Sequence, residues 1–229
     1  MIGTTECLLL AFAFHPFLLI IPFGIIAVIV FVGGIMRAKQ RTQQFVEVAE
    51  ELGLPFFPQG DDGLLGRLSD FHLFSQGRSK RIMNMLHGET NEVEVAIFDY
   101  RYTVGSGKDR KTYHQSVIYF HSATLQLPTF AVRPEGMFHK IGALFGYKDI
   151  DFESHPLFSK KYLLRGDNEA AIRELFDDRL LSFFEGETKI SVEGSRGQLV
   201  YYRQKKRIKP ADTQNFMKEG FQIFALFRD

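Results

Sequence analysis

Residues 7–36 read CLLLAFAFHPFLLIIPFGIIAVIVFVGGIM, and residues 37–41 read RAKQR. The first of these segments holds no Asp, Glu, Lys or Arg over thirty positions and is rich in Leu, Ile, Val and Phe. About 20 apolar residues in a helix span the hydrocarbon core of a bilayer, and a helix pairs its own backbone polar groups there. The segment therefore predicts an N-terminal transmembrane helix.

Two prolines and the length of the segment bear on where the span begins. Thirty helical residues would reach roughly 45 Å, which is longer than the hydrocarbon core. Pro16 and Pro22 each lack a backbone donor and disfavour helix at the residue before them. We expect a membrane anchor at 1–36 with its span at about 17–36. One longer helix, tilted and kinked, is the alternative.

The basic residues after the apolar segment predict its orientation. Residues 1–36 contain no Lys or Arg, whereas Arg37, Lys39 and Arg41 follow at once. Because positive residues favour the cytoplasmic side, the N-terminus is expected outside and the rest of the chain inside. This describes a single-pass membrane protein whose C-terminal part lies in the cytoplasm. A cleaved signal peptide is the competing interpretation, but there is no basic segment before the apolar run and no convincing small-residue cleavage site.

Composition limits the class of partner. Cys7 is the only cysteine, so residues 37–229 cannot form an intramolecular disulfide, in agreement with a reducing compartment. Those residues carry 28 Lys and Arg against 26 Asp and Glu (27 in the chain, less Glu6), a net charge of +2. This balance does not indicate nucleic acid as a partner. The expected partners are the lipid bilayer and another protein, and the oligomeric state stays open.

Residues 37–53 are predicted to form a juxtamembrane helix. Phe45, Val48, Ala49 and Leu52 recur at helical spacing, and Gly53 is a stop signal. The charges of this segment run from basic to acidic, which opposes the dipole of a free helix. The conflict disappears if the segment continues the membrane helix, so we predict one continuous helix.

Residues 54–229 are predicted to form one cytoplasmic domain. Alternating apolar residues predict strands, and apolar residues three and four apart predict helices. The predicted strands and extended segments are 81–87, 92–104, 111–121, 129–133, 149–152, 161–165, 189–193 and 198–203. The predicted helices are 137–145, one capped by Asp167, 180–184 and 211–227, with one helical turn at 64–68. This order indicates an α+β fold, a mainly antiparallel sheet with flanking helices. A break near 146–166 that divides the domain in two is the alternative.

The sequence contains segments that resemble chemical motifs but do not match them. In 105–108 (GSGK) the glycines are misplaced for a phosphate-binding loop, and Asp109 follows Lys108. Asp149, Asp151 and Glu153 alternate on one predicted strand, without the glycine of a calcium loop. The seven histidines form no close metal-binding pair, and there is no G-x-S-x-G segment. No catalytic residue, metal or cofactor is predicted.

The densest basic run contains Arg203, Lys205, Lys206, Arg207 and Lys209. Near a cytoplasmic leaflet each such charge contributes about 1 kcal/mol of attraction to anionic lipid. The run is therefore a candidate surface for anionic lipid or a partner. The solvated end of a hairpin is the other interpretation.

Four stretches of the chain together resemble one group of proteins. They are 52–54 (LGL), 98–108 (FDYRYTxGSGK), 151–162 (DFESxxxFSxxY) and 166–167 (GD). They are similar to a group of bacterial proteins of unknown function that have an N-terminal membrane helix and one cytoplasmic α+β domain. The resemblance implies a bacterial inner-membrane protein, and it carries no known chemistry or catalytic residues.

Two functions follow as hypotheses. The first is a membrane-anchored binding or scaffolding module that acts at the cytoplasmic face. The second is a membrane-tethered enzyme with a polar pocket assembled from Asp99, Arg101, His114 or Asp151.

Overall fold

The computed structural model describes residues 16–137 and 149–228. The chain forms two compact units that divide between Gln43 and Gln44. The first unit contains most of helix α1, and the second contains the end of α1 and all the strands.

Helix α1 runs without a break over Pro16–Leu52, so the continuous helix predicted from the charge pattern is confirmed. It includes the whole of the predicted span, 17–36, and Pro22 lies inside it. Large apolar side chains between Phe23 and Met36 are exposed; Phe23 and Phe31, for example, are 72% and 69% accessible. By length and composition, Phe23–Leu52 could cross a membrane, since its most apolar 18-residue window has a mean hydropathy of 1.6.

The second unit contains eight strands and six further helices among the described residues. The strands are β1 (Phe56–Phe57), β2 (Arg78–Glu89), β3 (Glu94–Val104), β4 (Lys111–His121), β5 (Phe130–Pro134), β6 (Tyr162–Gly166), β7 (Ser191–Ser195) and β8 (Gln198–Tyr202). The helices are α2 (Asp62–Arg67), α3 (His72–Ser75), α4 (Pro156–Lys161), α5 (Glu169–Leu175), α6 (Asp178–Gly186) and α7 (Thr213–Arg228).

All eight strands form one antiparallel sheet in the order β1-β2-β3-β4-β8-β7-β5-β6. The predicted α+β class with a mainly antiparallel sheet and flanking helices is confirmed. Strands β5 and β6, which lie on either side of residues 146–161 in the sequence, are neighbours in this sheet. The break near 146–166, which was the alternative to a single domain, therefore does not lie between two separate sheets.

Local sequence explains the second hairpin. Ser195 and Gln198 are partners across β7 and β8, which leaves only Arg196 and Gly197 in the turn. Both turn residues have positive φ, 46° and 82°. Two-residue hairpin turns of this kind match the twist of the flanking strands and need a residue such as glycine.

The sheet is covered on both faces, as the apolar residues on both sides of β3 predict. One face packs against α4, α5, α6, α7 and the end of α1, where Phe45 and Ala49 are buried. The other face packs against α2, α3 and the residues between them, through Leu64, Leu68 and Phe74. Tyr100 and Phe98 of β3 contact the Phe74 ring on that second face.

The structure differs from the predicted elements around residues 138–168. The N-cap of α5 is Asn168 rather than Asp167, because its side chain accepts a hydrogen bond from the Ala171 amide. Residues 149–152 form no strand; instead the Asp149 carboxylate accepts from the Leu164 amide at 2.9 Å. Helix α4 was not predicted. Residues 138–145 of the helix predicted over 137–145 lie outside the described residues.

Candidate functional site

A cleft of about 460 Å³ opens in the second unit beside the start of α7. One side is the segment 203–209 that joins β8 to α7, and the other side is a face of the turn and helix that follow it. We call this site the basic cleft. Its lining residues are Ser116, Arg203, Lys206, Arg207, Ile208, Lys209, Asp212, Asn215, Phe216 and Glu219.

Helix α7 reaches β4 closely because it carries glycine at the contact. A Cβ atom at Gly220 would lie 2.7 Å from the Cδ1 atom of Ile118. Phe216, Ile223 and Phe224 of the same helix are buried against the sheet. Asn215, Phe216 and Glu219 recur at helical spacing, so the helix presents them together to the cleft.

Backbone hydrogen bonds fix the other side of the cleft to β4. The Ser116 amide donates to the Lys206 carbonyl at 3.0 Å, and the Ile208 amide donates to the Ser116 hydroxyl at 3.2 Å. The Lys205 amide donates to the side chain of buried Gln115 at 3.0 Å. The segment therefore continues along β4 beyond the last residue of β8, and its backbone is fixed to the sheet there.

The floor of the cleft rests on a buried polar group. Ser116 and Asp99 face each other on β4 and β3, and both are almost wholly buried. The Ser116 hydroxyl donates to Asp99 Oδ1 at 2.9 Å, and the side-chain amide of Asn84 donates to Asp99 Oδ2 at 3.1 Å. Because buried carboxylates require hydrogen-bond donors, this arrangement accounts for the polar residues in an otherwise apolar sheet.

Arg203 and Glu219 form an ion pair across the cleft. The Arg203 guanidinium donates to Glu219 Oε2 at 2.6 Å, and the Tyr201 hydroxyl donates to the same oxygen at 2.8 Å. Burial lowers the pKa of Arg203, but the hydrogen bond to Glu219 and the charges of its neighbours outweigh that effect and raise it. Burial, with Glu219 beside it, raises the pKa of Tyr201. Arg203 and Glu219 thus neutralise each other.

Four of the five basic residues predicted as a patch meet at the cleft: Arg203, Lys206, Arg207 and Lys209. Lys205 does not line it. The Lys205 backbone has a φ of 57°, and its ammonium lies 4.5 Å from the centre of the Tyr113 ring. This is a cation–π contact, so Lys205 does not belong to the basic residues of the cleft.

The other predicted basic residues lie in the first unit. Arg37, Lys39 and Arg41 are on α1, directly after its exposed apolar side chains. Arg37 and Lys39 are exposed, and Arg41 is half-buried.

The structure brings three of the four residues of the enzyme hypothesis to one sheet face. Arg101 and His114 are direct partners on β3 and β4, next to the pair Asp99 and Ser116. Asp151 is exposed on a different segment, where its carbonyl accepts from Arg173 at 2.9 Å. Both oxygens of Asp99 already accept hydrogen bonds from Asn84 and Ser116, which fits a structural role for that carboxylate.

Sequence reasoning missed a second buried polar group on the opposite face of the sheet. Glu193 of β7 is 1% exposed and accepts from the Tyr202 hydroxyl at 2.6 Å and from the Leu73 amide at 3.2 Å. Burial, then the charge of Glu193, raises the pKa of Tyr202. The sequence carries no periodic signal for it, since Glu193 alternates with Ser191 on the polar side of the predicted strand, opposite Ile190 and Val192. This group fastens the start of α3 to the sheet.

Within residues 16–137 and 149–228, no group of three His, Cys, Asp or Glu side chains is arranged to hold a metal ion. Burial raises the pKa of Asp149, the first of the three alternating carboxylates. Its Oδ1 atom accepts a hydrogen bond from the Leu164 amide.

The chain is similar in fold to a protein of known structure. No protein-family model and no curated protein matches the chain. The crystal structure of the mycobacterial trehalose monomycolate transport factor A, TtfA, matches 82% of this chain and 92% of its own, with a TM-score of 0.59 and 15% sequence identity. The chain therefore shares its fold with that transport factor.

Proposed function

We propose that this chain is a single-pass inner-membrane protein whose cytoplasmic domain is a binding or scaffolding module. The anchor is residues 1–36, the juxtamembrane helix is 37–53 and the domain is 54–229. One observation carries the proposal: an α1 helix whose apolar side chains are exposed for several turns and are followed at once by basic residues.

The exposed apolar surface of α1 supports the anchoring. Among the described residues, none of the most apolar window of this helix is buried. A helix that is apolar all round is typical of a buried or membrane-spanning segment. The bilayer supplies the apolar surroundings that the described residues of this chain do not.

The basic cleft supports a binding role. It gathers basic side chains from one segment and fixes that segment to the sheet through Ser116 and Gln115. A surface organised in this way is suited to holding a charged partner without further rearrangement. TtfA, which shares the fold, is by name a transport factor for trehalose monomycolate. That name favours binding over catalysis for the domain of this chain as well.

The topology is tested with single cysteines in a Cys7→Ser background. Ser106 lies in the exposed turn between β3 and β4. In intact cells, Ser106→Cys is expected to resist a membrane-impermeant maleimide and to react after lysis, whereas Thr4→Cys is expected to react before lysis. The protein is also expected to stay in the membrane pellet after carbonate extraction.

Two results would contradict the proposal. Labelling of Ser106→Cys in intact cells would show that the orientation is opposite to the proposed one. A mature chain that begins near residue 35 would show that the apolar segment is a cleaved signal.

A further inference from the structure

We infer that the basic cleft binds a phosphomonoester group, presented by an anionic lipid headgroup at the cytoplasmic leaflet. The inference rests on the proposed binding role of the cytoplasmic domain and names the chemistry of its ligand. It draws on the charge of the cleft, the kinds of donor in it and the way its walls are fixed.

The charge of the cleft matches a dianion. Its lining contains four cationic side chains and two carboxylates, Asp212 and Glu219. Arg203 and Glu219 neutralise each other through their 2.6 Å hydrogen bond. Lys206, Arg207 and Lys209 then share the lining with one remaining carboxylate, that of Asp212, which gives a net charge of +2. A phosphomonoester carries about −1.5 to −2 at pH 7.

The donors suit phosphate in particular. Arg207 offers a planar fork that can contact two oxygens of one phosphate group, and the two lysines offer ammonium groups that act as point charges. All three side chains are exposed, so they are accessible to a ligand. Asn215 adds an exposed amide on the α7 side.

Apolar walls next to these donors favour an organic phosphate. Ile208 is half-buried and Phe216 is buried, and both line the cleft. The carbon atoms of a glycerol or sugar attached to the phosphate would lie against this surface. A simple inorganic ion would leave it unused, so an organic phosphate is expected to bind more tightly.

The segment that carries the cations is already ordered. Lys206 accepts a hydrogen bond from the Ser116 amide through its carbonyl, and the Ile208 amide donates to the Ser116 hydroxyl. Arg207 lies between these two attachment points. The backbone therefore loses little further freedom when a ligand binds, which strengthens binding for a given set of contacts.

The test uses the full chain in a detergent without phosphorus and follows ligand ³¹P resonances during titration. The probes are inorganic phosphate, glycerol 3-phosphate, dihexanoyl phosphatidic acid and dihexanoyl phosphatidylcholine. We expect glycerol 3-phosphate and phosphatidic acid to bind more tightly than inorganic phosphate, and the zwitterionic lipid to bind least.

Two triple variants with matched charge separate the cleft from general electrostatics. Lys206→Gln, Arg207→Gln and Lys209→Gln together remove two lysines and one arginine from the cleft. Lys108→Gln, Arg110→Gln and Lys111→Gln remove the same kinds of residue from the exposed turn before β4 and from the exposed first position of that strand. We expect the cleft variant to lose about tenfold or more in phosphatidic acid affinity, because charged hydrogen bonds are lost. The turn variant is expected to bind like the unchanged chain.

A third variant changes the affinity in the opposite direction. Asp212→Asn removes the carboxylate that still faces the three cations, and Asp212 is exposed. We expect a severalfold gain in affinity for phosphatidic acid, which a misfolded protein could not show.

The outcomes are distinct. Equal losses in the two triple variants, or equal binding of the zwitterionic lipid, would overturn the inference. Binding of glycerol 3-phosphate without phosphatidic acid would retain the phosphate site and assign it to a soluble ligand. A chain that passes the topology test but binds no phosphate loses this inference alone. A chain that binds phosphate but is absent from the membrane loses the proposed anchoring alone.

Discussion

The hydroxyl of Ser116 joins Asp99 in the sheet to the basic segment above it. It donates to Asp99 Oδ1 at 2.9 Å and accepts from the Ile208 amide at 3.2 Å. Asp99 and Ser116 are direct partners on β3 and β4, so the strand ladder fixes their separation. One small side chain thus connects a buried carboxylate to the segment that carries Lys206, Arg207 and Lys209.

Ser116→Ala is expected to lower the free energy of unfolding by about 1–3 kcal/mol, because it removes one donor from a buried carboxylate and the acceptor of the Ile208 amide. The measurement is urea unfolding of the full chain in detergent, followed by circular dichroism. Ser106→Ala, in the exposed turn after β3, is the matched control and is expected to change little. Equal stability of the two variants would show that the Ser116 hydroxyl is not required.

Phe45→Ala tests whether the end of α1 belongs to the core of the second unit. Phe45 is 1% exposed, and its ring stacks on Phe56 with centroids 6.5 Å apart. Removal of a buried phenyl ring costs about 3–5 kcal/mol. The neighbouring Gln44 is exposed, so Gln44→Ala is expected to leave the urea midpoint unchanged. A small effect of Phe45→Ala on stability would show that the end of α1 is not part of that core.

Gly166→Ala is expected to be among the most damaging single-methyl additions to the sheet. A Cβ atom at Gly166, on β6, would lie 2.2 Å from the Thr129 carbonyl oxygen and 2.3 Å from Ile172 Cδ1. Since the carbonyl belongs to the backbone, strands β5 and β6 must move apart, at a cost of about 1–3 kcal/mol or more. Gly186→Ala, at the end of α6 with no neighbouring atom within 4 Å, is the control. A stability for Gly166→Ala equal to that of the control would contradict the close approach.

His72 makes the stability depend on pH. Burial, with the charges of Arg133 and Arg165, lowers the pKa of His72 from 6.5 to about 3. Between those values the unfolded chain binds a proton that the folded chain does not, so stability falls as the pH falls from about 6.5 toward 3. The slope from this one group is at most about 1.4 kcal/mol per pH unit, and solvent at the partly exposed ring reduces it.

His72→Gln removes the titrating group and keeps a polar side chain. We expect its urea midpoint to fall less steeply than that of the unchanged chain between pH 6.5 and 4. Parallel curves for the two proteins would exclude His72 as a source of the acid sensitivity.

Regular elements were predictable where their apolar residues form a clear pattern. The predicted bounds of β4, 111–121, agree with the structure, because its second half is a continuous apolar run, 117–120, that is buried on both faces of the sheet. The last helix was predicted over 211–227 and observed as Thr213–Arg228. Short elements such as β1 and α4 were missed, since two to six residues are too few to show a period.

The candidate site was predictable only in part. The basic run is visible in the sequence, but the turn at Lys205 depends on a left-handed backbone that no periodic pattern announces. Ser116 is separated by 92 positions from the Ile208 amide that it binds, and Leu73 by 120 from Glu193. Such contacts arise from the order of the strands, which the sequence of one chain does not reveal.

Both outer strands of the sheet are short, and one is enclosed by proline. Strand β1 contains only Phe56 and Phe57, between Pro55 and Pro58, and both prolines direct their carbonyls to β2. Long open edges are where β-proteins recruit strands from other copies and begin to polymerise, and proline or brevity blocks that growth. Copies of a sheet with such ends can lie close together without pairing edge to edge. The protein is therefore expected to resist aggregation at a high local concentration.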